Sequence, residues 1–233
     1  MDNLERDNYG ENVNVEPFVP ELYFIIHNIS KRNNVRSLLK SALAFGVHTI
    51  LVAGQRNFDF EPHDDVECNV EGARSTAGDL PRGPVRDAVR RGSLRILRYR
   101  KFSELVEAAS APPLNARVVA VEIVDDAVAL DDTDAHLENI FRGTAEICGR
   151  RRNVALLMGN EGTGLSDRQL DLCRKSGGVV ATIPQYGGGT ASLNVNVAAC
   201  VVLQRFVQWR DAEVGIIEMG KVMTIDGMTE KMI

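Results

Sequence analysis

The stretch that decides the fold spans residues 153–205 and reads NVALLMGNEGTGLSDRQLDLCRKSGGVVATIPQYGGGTASLNVNVAACVVLQR. Apolar segments at 154–158 and 179–183 predict two strands. Each strand runs into a loop rich in glycine, and a helical pattern follows each loop. The first of these helices has Ser166 and Gln169 at the spacing of a capping box. In an open α/β sheet, ligands bind beyond the carboxyl ends of the strands, where such loops gather.

Six glycines in these two loops require an explanation, because glycine loses more backbone freedom on folding than any other residue. They are Gly159, Gly162, Gly164, Gly187, Gly188 and Gly189. Tight turns would account for either loop taken alone. Two such loops, each at the end of a strand, favour instead a close approach of backbone groups to a small ligand.

The remainder of the chain repeats the alternation of strand and helix. Further apolar segments, which predict strands, lie at 22–27, 49–54, 94–97 and 116–124. The first is a continuous apolar run, which is typical of a parallel strand covered on both faces. Helical spacing over residues 35–46 joins the first two strands into a βαβ unit. These patterns predict an α/β fold with a parallel sheet flanked by helices.

Composition and charge bound the class of protein. A net charge of −5 over 233 residues does not indicate a nucleic-acid partner, although a local basic face could still bind phosphates. The four cysteines form no C-x-x-C pair and do not cluster with the four histidines, so we predict no metal site. No apolar run reaches the length of about 18 residues that a membrane span needs. We therefore expect neither a metal nor a membrane partner.

The predicted boundaries divide the chain into three parts. Residues 1–20 are polar and end in two prolines, so we expect a flexible tail there, without the pattern of a signal or transit peptide. Residues 21–209 form the predicted domain, in which we interpret residues 55–92 as a surface insertion, and residues 210–233 form a C-terminal extension. Free thiols favour an intracellular location, with cytoplasm, nucleus and organelles left open.

Three blocks of the sequence resemble the SpoU/TrmH family of RNA ribose 2′-O-methyltransferases, in the SPOUT superfamily. They are HNISKRNNVRSLLKSALAFGV at 27–47, LMGNEGTGLS at 157–166 and IPQYGGGTASLNVNVA at 183–198. The second and third blocks, in this order and at strand ends, are the specific ones. A dinucleotide-binding dehydrogenase is a poor alternative, because the glycines at 159–164 are spaced G-x-x-G-x-G and not G-x-G-x-x-G.

The resemblance implies a SPOUT-type α/β knot, in which the C-terminal helix threads through a loop to form a deep trefoil, although knots are rare among folds. It also implies a homodimer, an RNA substrate (tRNA or rRNA) and S-adenosylmethionine held in a bent shape by the knot loops. The cofactor-binding residues on this reading are Leu157, Met158, Gly159, Asn160, Gly162, Ile183, Gln185, Gly188, Ser192 and Leu193.

The resemblance assigns the catalytic roles to Asn34, Lys40, Glu161, Ser192 and Asn194. The methyl group of a sulfonium is already activated, so an enzyme mainly needs to align it with a hydroxyl, which asparagine, serine and glutamate side chains can orient. The same residues would also suit plain ligand binding. Glu161 could merely stabilise its turn, and Ser192 and Asn194 could be only helix caps.

The first block departs from the family pattern Asn-Val-Gly-x-x-x-Arg-Thr-Ala. Lys40 stands at the place of the arginine and Arg36 at the place of the glycine. Lysine keeps the charge but loses the planar fork of a guanidinium, so either Lys40 or Arg36 serves instead, or the chain is a non-catalytic RNA-binding or ribosome-assembly relative. We assign Lys31, Arg32 and Arg36 to RNA binding, and the arginines of 82–100 either contact RNA phosphates or form a solvated rim.

Overall fold

A seven-stranded sheet lies at the centre of the computed structural model, which describes residues 18–63, 78–131, 133–143, 152–187 and 192–213. Every strand pairing within it is parallel, in the order β3-β2-β1-β6-β4-β7-β5. The strands are β1 Leu22–His27, β2 Thr49–Ala53, β3 Arg95–Tyr99, β4 Ala116–Val121, β5 Val128–Ala129, β6 Asn153–Met158 and β7 Val179–Thr182. The predicted parallel α/β architecture is confirmed.

Helices cover both faces of this sheet. They are α1 Arg32–Ala44, α2 Pro84–Arg90, α3 Phe102–Ser110, α4 Asp134–Leu137, α5 Asp167–Lys175 and α6 Val195–Glu213. A π-helical turn, Glu138–Arg142, continues α4. None of the described helices is both long and apolar enough to cross a membrane.

The continuous apolar sequence of β1 follows from burial on both sides. Phe24 and Ile26 pack into the core under α1, α2, α4 and α6. Tyr23 and Ile25, whose side chains alternate with them, pack on the other face with α3 and α5. All four are almost fully buried, as expected for an inner strand of a parallel sheet.

The two glycine-rich loops begin at the same edge of the sheet. In a parallel sheet all carboxyl ends face one way, and β4 pairs with both β6 and β7. The loops that follow β6 and β7 are therefore neighbours, as predicted. The predicted capping box also forms, since Gln169 Oε1 accepts hydrogen bonds from Ser166 N and Ser166 Oγ, both at 2.8 Å.

The predicted insertion at 55–92 also contributes to the core through its described residues. This part of the chain contributes helix α2 and five buried apolar side chains to the core: Phe58, Phe60, Leu80, Val85 and Ala88. These residues are isolated among charged residues, glycines and prolines, so their spacing showed no strand or helix period. Residues 64–77 lie outside the described part.

The last helix extends beyond a predicted boundary. Helix α6 begins at Val195 and ends at Glu213, past the predicted domain end at 209. The tail at 1–17 and most of the C-terminal extension lie outside the described residues. So do residues 188–191, and the trefoil knot stays a prediction.

Candidate active site

A cavity of about 410 Å³ lies where the ends of β4, β6 and β7 meet the start of α6. Its volume is in the range of small-molecule sites. All three sequence segments that follow these strands contribute to its walls. The lining residues are Val121–Ile123, Met158–Gly164, Thr182, Ile183, Gln185, Ser192, Leu193, Val195 and Ala198.

Most of the predicted cofactor residues line this cavity. Leu157 does not, because its side chain is buried in the core with α3 and α5, and the lining begins one residue later, at Met158. Gly188 lies outside the described residues. The remaining eight all contribute to the wall: Met158, Gly159, Asn160, Gly162, Ile183, Gln185, Ser192 and Leu193.

Glu122, which the sequence analysis missed, holds the glycine loop after β6 in place. It follows β4 directly, and its Oε2 accepts a 2.6 Å hydrogen bond from Leu165 N. A Cβ added to Gly159 would collide with this carboxylate, and one added to Gly164 would come within 2.5 Å of it. Gly164 also has φ +63°, a conformation that favours glycine. The two glycines therefore make room for Glu122.

Glu161 joins the glycine loop to the first sequence block. Its Oε1 accepts a 2.6 Å hydrogen bond from Asn34 Nδ2, and its Oε2 accepts a 3.0 Å bond from Ser30 N. Asn34 lies in the first turn of α1, so strand β1, helix α1 and the loop after β6 meet at one carboxylate. The predicted catalytic residues Asn34 and Glu161 are thus in direct contact.

These contacts keep the Glu161 carboxyl charged. Burial is the largest single influence, and alone it would raise the pKa of this group. Hydrogen bonds from the Asn34 side chain and from backbone groups of Ser30, Glu161 and Lys31 stabilise the anion, and together they hold the pKa below its ordinary value. At neutral pH Glu161 is an acceptor that orients Asn34, and it is a weak base.

Asn160 adds a second connection between the same two loops. Its Nδ2 donates to Asn28 O and, at 3.1 Å, to Ser30 Oγ. Its Oδ1 accepts a 2.8 Å bond from Gly162 N, which closes the turn. The seam formed by Asn28, Ser30, Asn160 and Glu161 is referred to below as the loop seam.

Of the other three predicted catalytic residues, one lines the cavity and two do not. Ser192 lines the cavity together with Glu161. Asn194 is absent from the lining, and its Oδ1 accepts a 2.9 Å bond from Asn196 N, as a helix cap does. Lys40 is exposed on α1 and does not line the cavity.

Two of the three predicted RNA-binding residues are engaged with one carboxylate. Arg36 donates from Nε to Asp79 O at 2.8 Å and from NH2 to Asp79 Oδ1 at 3.3 Å. Arg32 NH1 lies 3.4 Å from the same Oδ1. Lys31 is exposed. Asp79 therefore offsets part of the charge that the sequence assigned to RNA, and it engages the guanidinium of Arg36, the alternative to Lys40.

A half-buried histidine connects the first block to helix α5. His27 Nδ1 donates to Ala53 O at 2.8 Å, and Gln169 Nε2 donates to His27 Nε2 at 2.6 Å. The ring also packs on Phe102, with centroids 4.5 Å apart. Burial lowers the pKa of His27, and the bond to Ala53 opposes this only in part. The ring is therefore neutral at pH 7.

Within the described residues, no group of three or more histidine, cysteine or acidic side chains could hold a metal ion. Cys173 is buried, and burial raises the pKa of its thiol to about 12, so the thiol is inert.

Solved structures with the same arrangement of strands and helices are RNA methyltransferases. An AdoMet-bound rRNA methyltransferase from Sinorhizobium meliloti matches with 22% identity and a TM-score of 0.50, over 83% of this chain. The SpoU methyltransferase AviRb from Streptomyces viridochromogenes, in complex with the cofactor AdoMet, matches with 23% identity and a TM-score of 0.52, over 84%. A structure concerned with 2-OH methylation of C/U34 on tRNA matches with 19% identity and a TM-score of 0.53, over 83%.

These likenesses show the fold. The chain corresponds to 58% of the length of the Sinorhizobium protein and 63% of AviRb, but to 98% of the third protein. A comparison with curated protein sequences finds no match.

The family follows from the sequence. The model of the SpoU rRNA Methylase family matches residues 79–204, which is more than half of the chain. This range includes β4, β6 and β7 and the residues after each of them that line the cavity. It also includes both glycine-rich loops. The chain therefore belongs to the SpoU rRNA methylase family.

Proposed function

We propose that this chain transfers the methyl group of S-adenosylmethionine to a ribose 2′-hydroxyl of tRNA or rRNA. The observation that carries the proposal is that Glu161, which accepts a hydrogen bond from Asn34, lines a cavity bounded by both glycine-rich loops. Membership of the family supports an RNA methyltransferase. The ribose hydroxyl as acceptor is our own inference from the side chains at the site.

The chemistry of the cavity fits S-adenosylmethionine. Apolar side chains of Ile183, Leu193 and Val195 offer a surface for a flat heterocycle, and the loops after β6 and β7 offer backbone donors and acceptors. The Glu122 carboxylate lines the same cavity and would favour a cationic ligand. When bound, the cofactor supplies a methyl group on a positively charged sulfur.

The side chains of the site would orient the acceptor. Asn34 donates its Nδ2 hydrogen to Glu161, which turns its Oδ1 away from that carboxylate. Among the described residues Oδ1 has no partner, so it is available to accept a hydrogen bond from a ribose hydroxyl. Ser192, which also lines the cavity, is a second group that can fix the hydroxyl. This arrangement aligns a weak nucleophile.

We propose a homodimer as the active form. Support comes from the family resemblance and from large apolar side chains that are exposed beside the cavity. Tyr186 is 93% exposed and Val197, on α6, is 49% exposed. Sedimentation of the full chain tests this, and a monomer at the concentrations at which methylation is measured would contradict it.

Methyl transfer is tested with radiolabelled S-adenosylmethionine and total cellular RNA, followed by nuclease digestion and chromatography of the nucleosides. We expect the label in a 2′-O-methyl nucleoside. Label in a base-methylated nucleoside would support an RNA methyltransferase but would reject the ribose hydroxyl as the acceptor. Cofactor binding without any RNA methylation would reject the proposed reaction.

A second candidate is a non-catalytic RNA-binding or ribosome-assembly relative. It is favoured by Lys40 at the arginine position and by the engagement of Arg36 with Asp79. Such a protein would bind RNA, and it would incorporate no label in the same assay.

A further inference from the structure

A second cavity opens on the other side of the loop seam. It has a volume of about 380 Å³ and is formed by the carboxyl ends of β1 and β2 and the residues after them. The lining residues are His27, Asn28, Ile29, Ser30, Gly54, Arg56 and Asn57. We refer to it as the β1–β2 cavity. No proposed step of methyl transfer uses it.

The walls of the β1–β2 cavity are held by hydrogen bonds between the two loops. Gln55 Oε1 accepts a 2.7 Å bond from Ile29 N, and Gln55 Nε2 donates a 2.9 Å bond to Ile29 O. Asn57 Nδ2 donates a 3.0 Å bond to Ser30 O. The cavity is thus preorganised and does not depend on one flexible side chain.

Arg56 is the cation of this cavity. It is exposed, and among the described residues its guanidinium has neither a hydrogen-bond nor an ion-pair partner. Arg32 and Arg36, nearby on α1, share Asp79. A guanidinium without a carboxylate, at the mouth of a polar cavity, suits a phosphate group.

The cavity also offers a group that can contact a base or sugar. The side-chain amide of Asn28 has no partner among the described residues, while its backbone oxygen is fixed by Asn160. Asn28 has φ +51°, so the backbone holds an unusual turn at this point. Ser30 and Asn28 belong to both the cavity wall and the loop seam, which places the cavity next to Glu161.

From these observations we propose that the β1–β2 cavity binds the nucleotide adjacent to the methylated one, with its phosphate on Arg56 and its base or sugar against Asn28. The inference rests on the proposed function, since the target ribose is taken to lie at Asn34 and Glu161, beside the cofactor in the neighbouring cavity. An RNA strand that crosses the loop seam would then place the target ribose at this pair and the next nucleotide in the β1–β2 cavity.

The test compares Arg56→Ala with Lys175→Ala in the full chain. Lys175 is an exposed cation at the C-terminal end of α5, which precedes β7 and so lies at the opposite edge of the sheet. Binding of bulk tRNA and of total rRNA is measured separately, at several salt concentrations and without cofactor. Cofactor affinity and thermal unfolding of each variant are measured alongside.

We expect Arg56→Ala to weaken the binding of either tRNA or rRNA about tenfold. It should also reduce the slope of log affinity against log salt by about 0.7 to 0.9, which corresponds to the loss of one phosphate contact. Lys175→Ala should change neither quantity. Arg56→Lys, which keeps the charge, should retain the slope and part of the affinity. Unchanged binding in Arg56→Ala, equal losses in both alanine variants, or no RNA binding by the wild type would overturn the proposal.

Methylation assays separate this inference from the proposed function. Arg56-dependent RNA binding without methylation by the wild type would leave the cavity assignment in place and reject the reaction. If the wild type methylates RNA and Arg56→Ala has the same KM for RNA, the proposed reaction would stand and the cavity assignment would be rejected.

Discussion

Asn34 Nδ2 and Glu161 Oε1 lie 2.6 Å apart although 127 residues separate them in the chain. The contact forms because β1 and β6 are neighbours in the sheet and both end at the edge where the cavity lies. The carboxylate keeps its charge through this bond and through Ser30 N. The pair fixes the orientation of the Asn34 amide, and the proposed reaction depends on that orientation.

Asn34→Asp should abolish most of the methyl transfer while leaving cofactor binding intact. The substitution preserves shape but puts a second carboxylate against Glu161, so the bond between the two side chains becomes a repulsion. We expect turnover to fall by about 10² or more and cofactor affinity to change by less than about threefold. Single-turnover methylation and calorimetric titration with the cofactor measure the two effects.

Asn33→Asp is the matched control for this prediction. Asn33 is exposed, and its Oδ1 accepts a 3.2 Å bond from Arg36. The same chemical change at this position should leave turnover near the wild-type value. Equal turnover in Asn34→Asp and the wild type would remove Asn34 from the site.

The neutral state of His27 should make stability depend on pH. Burial lowers the His27 pKa in the folded chain, so the unfolded chain binds more protons once the pH falls below the ordinary value of 6.5. This contribution to stability is therefore present above about pH 6.5 and is lost as the pH falls through the lowered pKa. Urea unfolding between about pH 7.5 and about pH 5.5 measures the slope.

His27→Gln should reduce the slope of unfolding free energy against pH, because glutamine does not titrate in this range. This holds even if the substitution lowers stability at every pH. His48→Gln serves as the control, since His48 is exposed and its ring hydrogen-bonds to a backbone oxygen, Ser93 O. If both substitutions alter the slope equally, the effect does not come from the burial of His27.

Substitution of two glycines should separate steric collision from backbone strain. Gly159→Ala introduces a Cβ that collides with Glu122. Gly164→Ala introduces a similar collision, and it also places a side chain on a residue with φ +63°. In a Glu122→Ala background the cost of Gly159→Ala should largely disappear. The cost of Gly164→Ala should persist at about 1–2 kcal/mol, the cost of a left-handed residue with a side chain.

Free energies of unfolding for the single and double variants form the two mutant cycles. We expect a coupling energy with Glu122 for both glycines, and a residual cost for Gly164 alone. Strictly additive costs at Gly159 would show that the Glu122 carboxylate moves aside freely.

Cofactor affinity should fall about tenfold or more in Glu122→Ala, because the bond to Leu165 N that holds the loop is removed.

The parts of the fold that local sequence determines were predictable. The β1 and β6 strands, the capping box at Ser166 and the two glycine-rich loops are each specified by residues within one short segment. Their meeting at one edge followed from the parallel sheet, because all its strands end on the same side.

Contacts between distant segments were not predictable in the same way. The pairing of Arg36 with Asp79 crosses 43 residues, and Asp79 lies in a segment that was interpreted as an insertion. Glu122 belongs to none of the three sequence blocks. Its one signal was a carboxylate near the end of the apolar segment at 116–124, which predicted a strand. Leu157 does not line the cavity, because strand alternation turns its side chain into the core.

Lys40 should prove necessary for turnover if it replaces the arginine of the family pattern. It is exposed on α1, six residues after Asn34, so its long side chain can reach an RNA phosphate without a change of fold. We expect Lys40→Ala to lower turnover by about tenfold or more at unchanged cofactor affinity, and Lys40→Arg to restore it. Lys175→Ala, an exposed lysine at the end of α5, is the control at the opposite edge of the sheet.

Restoring the family glycine at position 36 would be a poor companion to this test. Arg36→Gly removes the bonds to Asp79 O and Oδ1 and places glycine within α1, where it costs about 1 kcal/mol relative to alanine. The single Lys40 variants avoid both effects. Wild-type turnover in Lys40→Ala would take the lysine out of the mechanism and leave Asn34, Glu161 and Ser192 to align the acceptor.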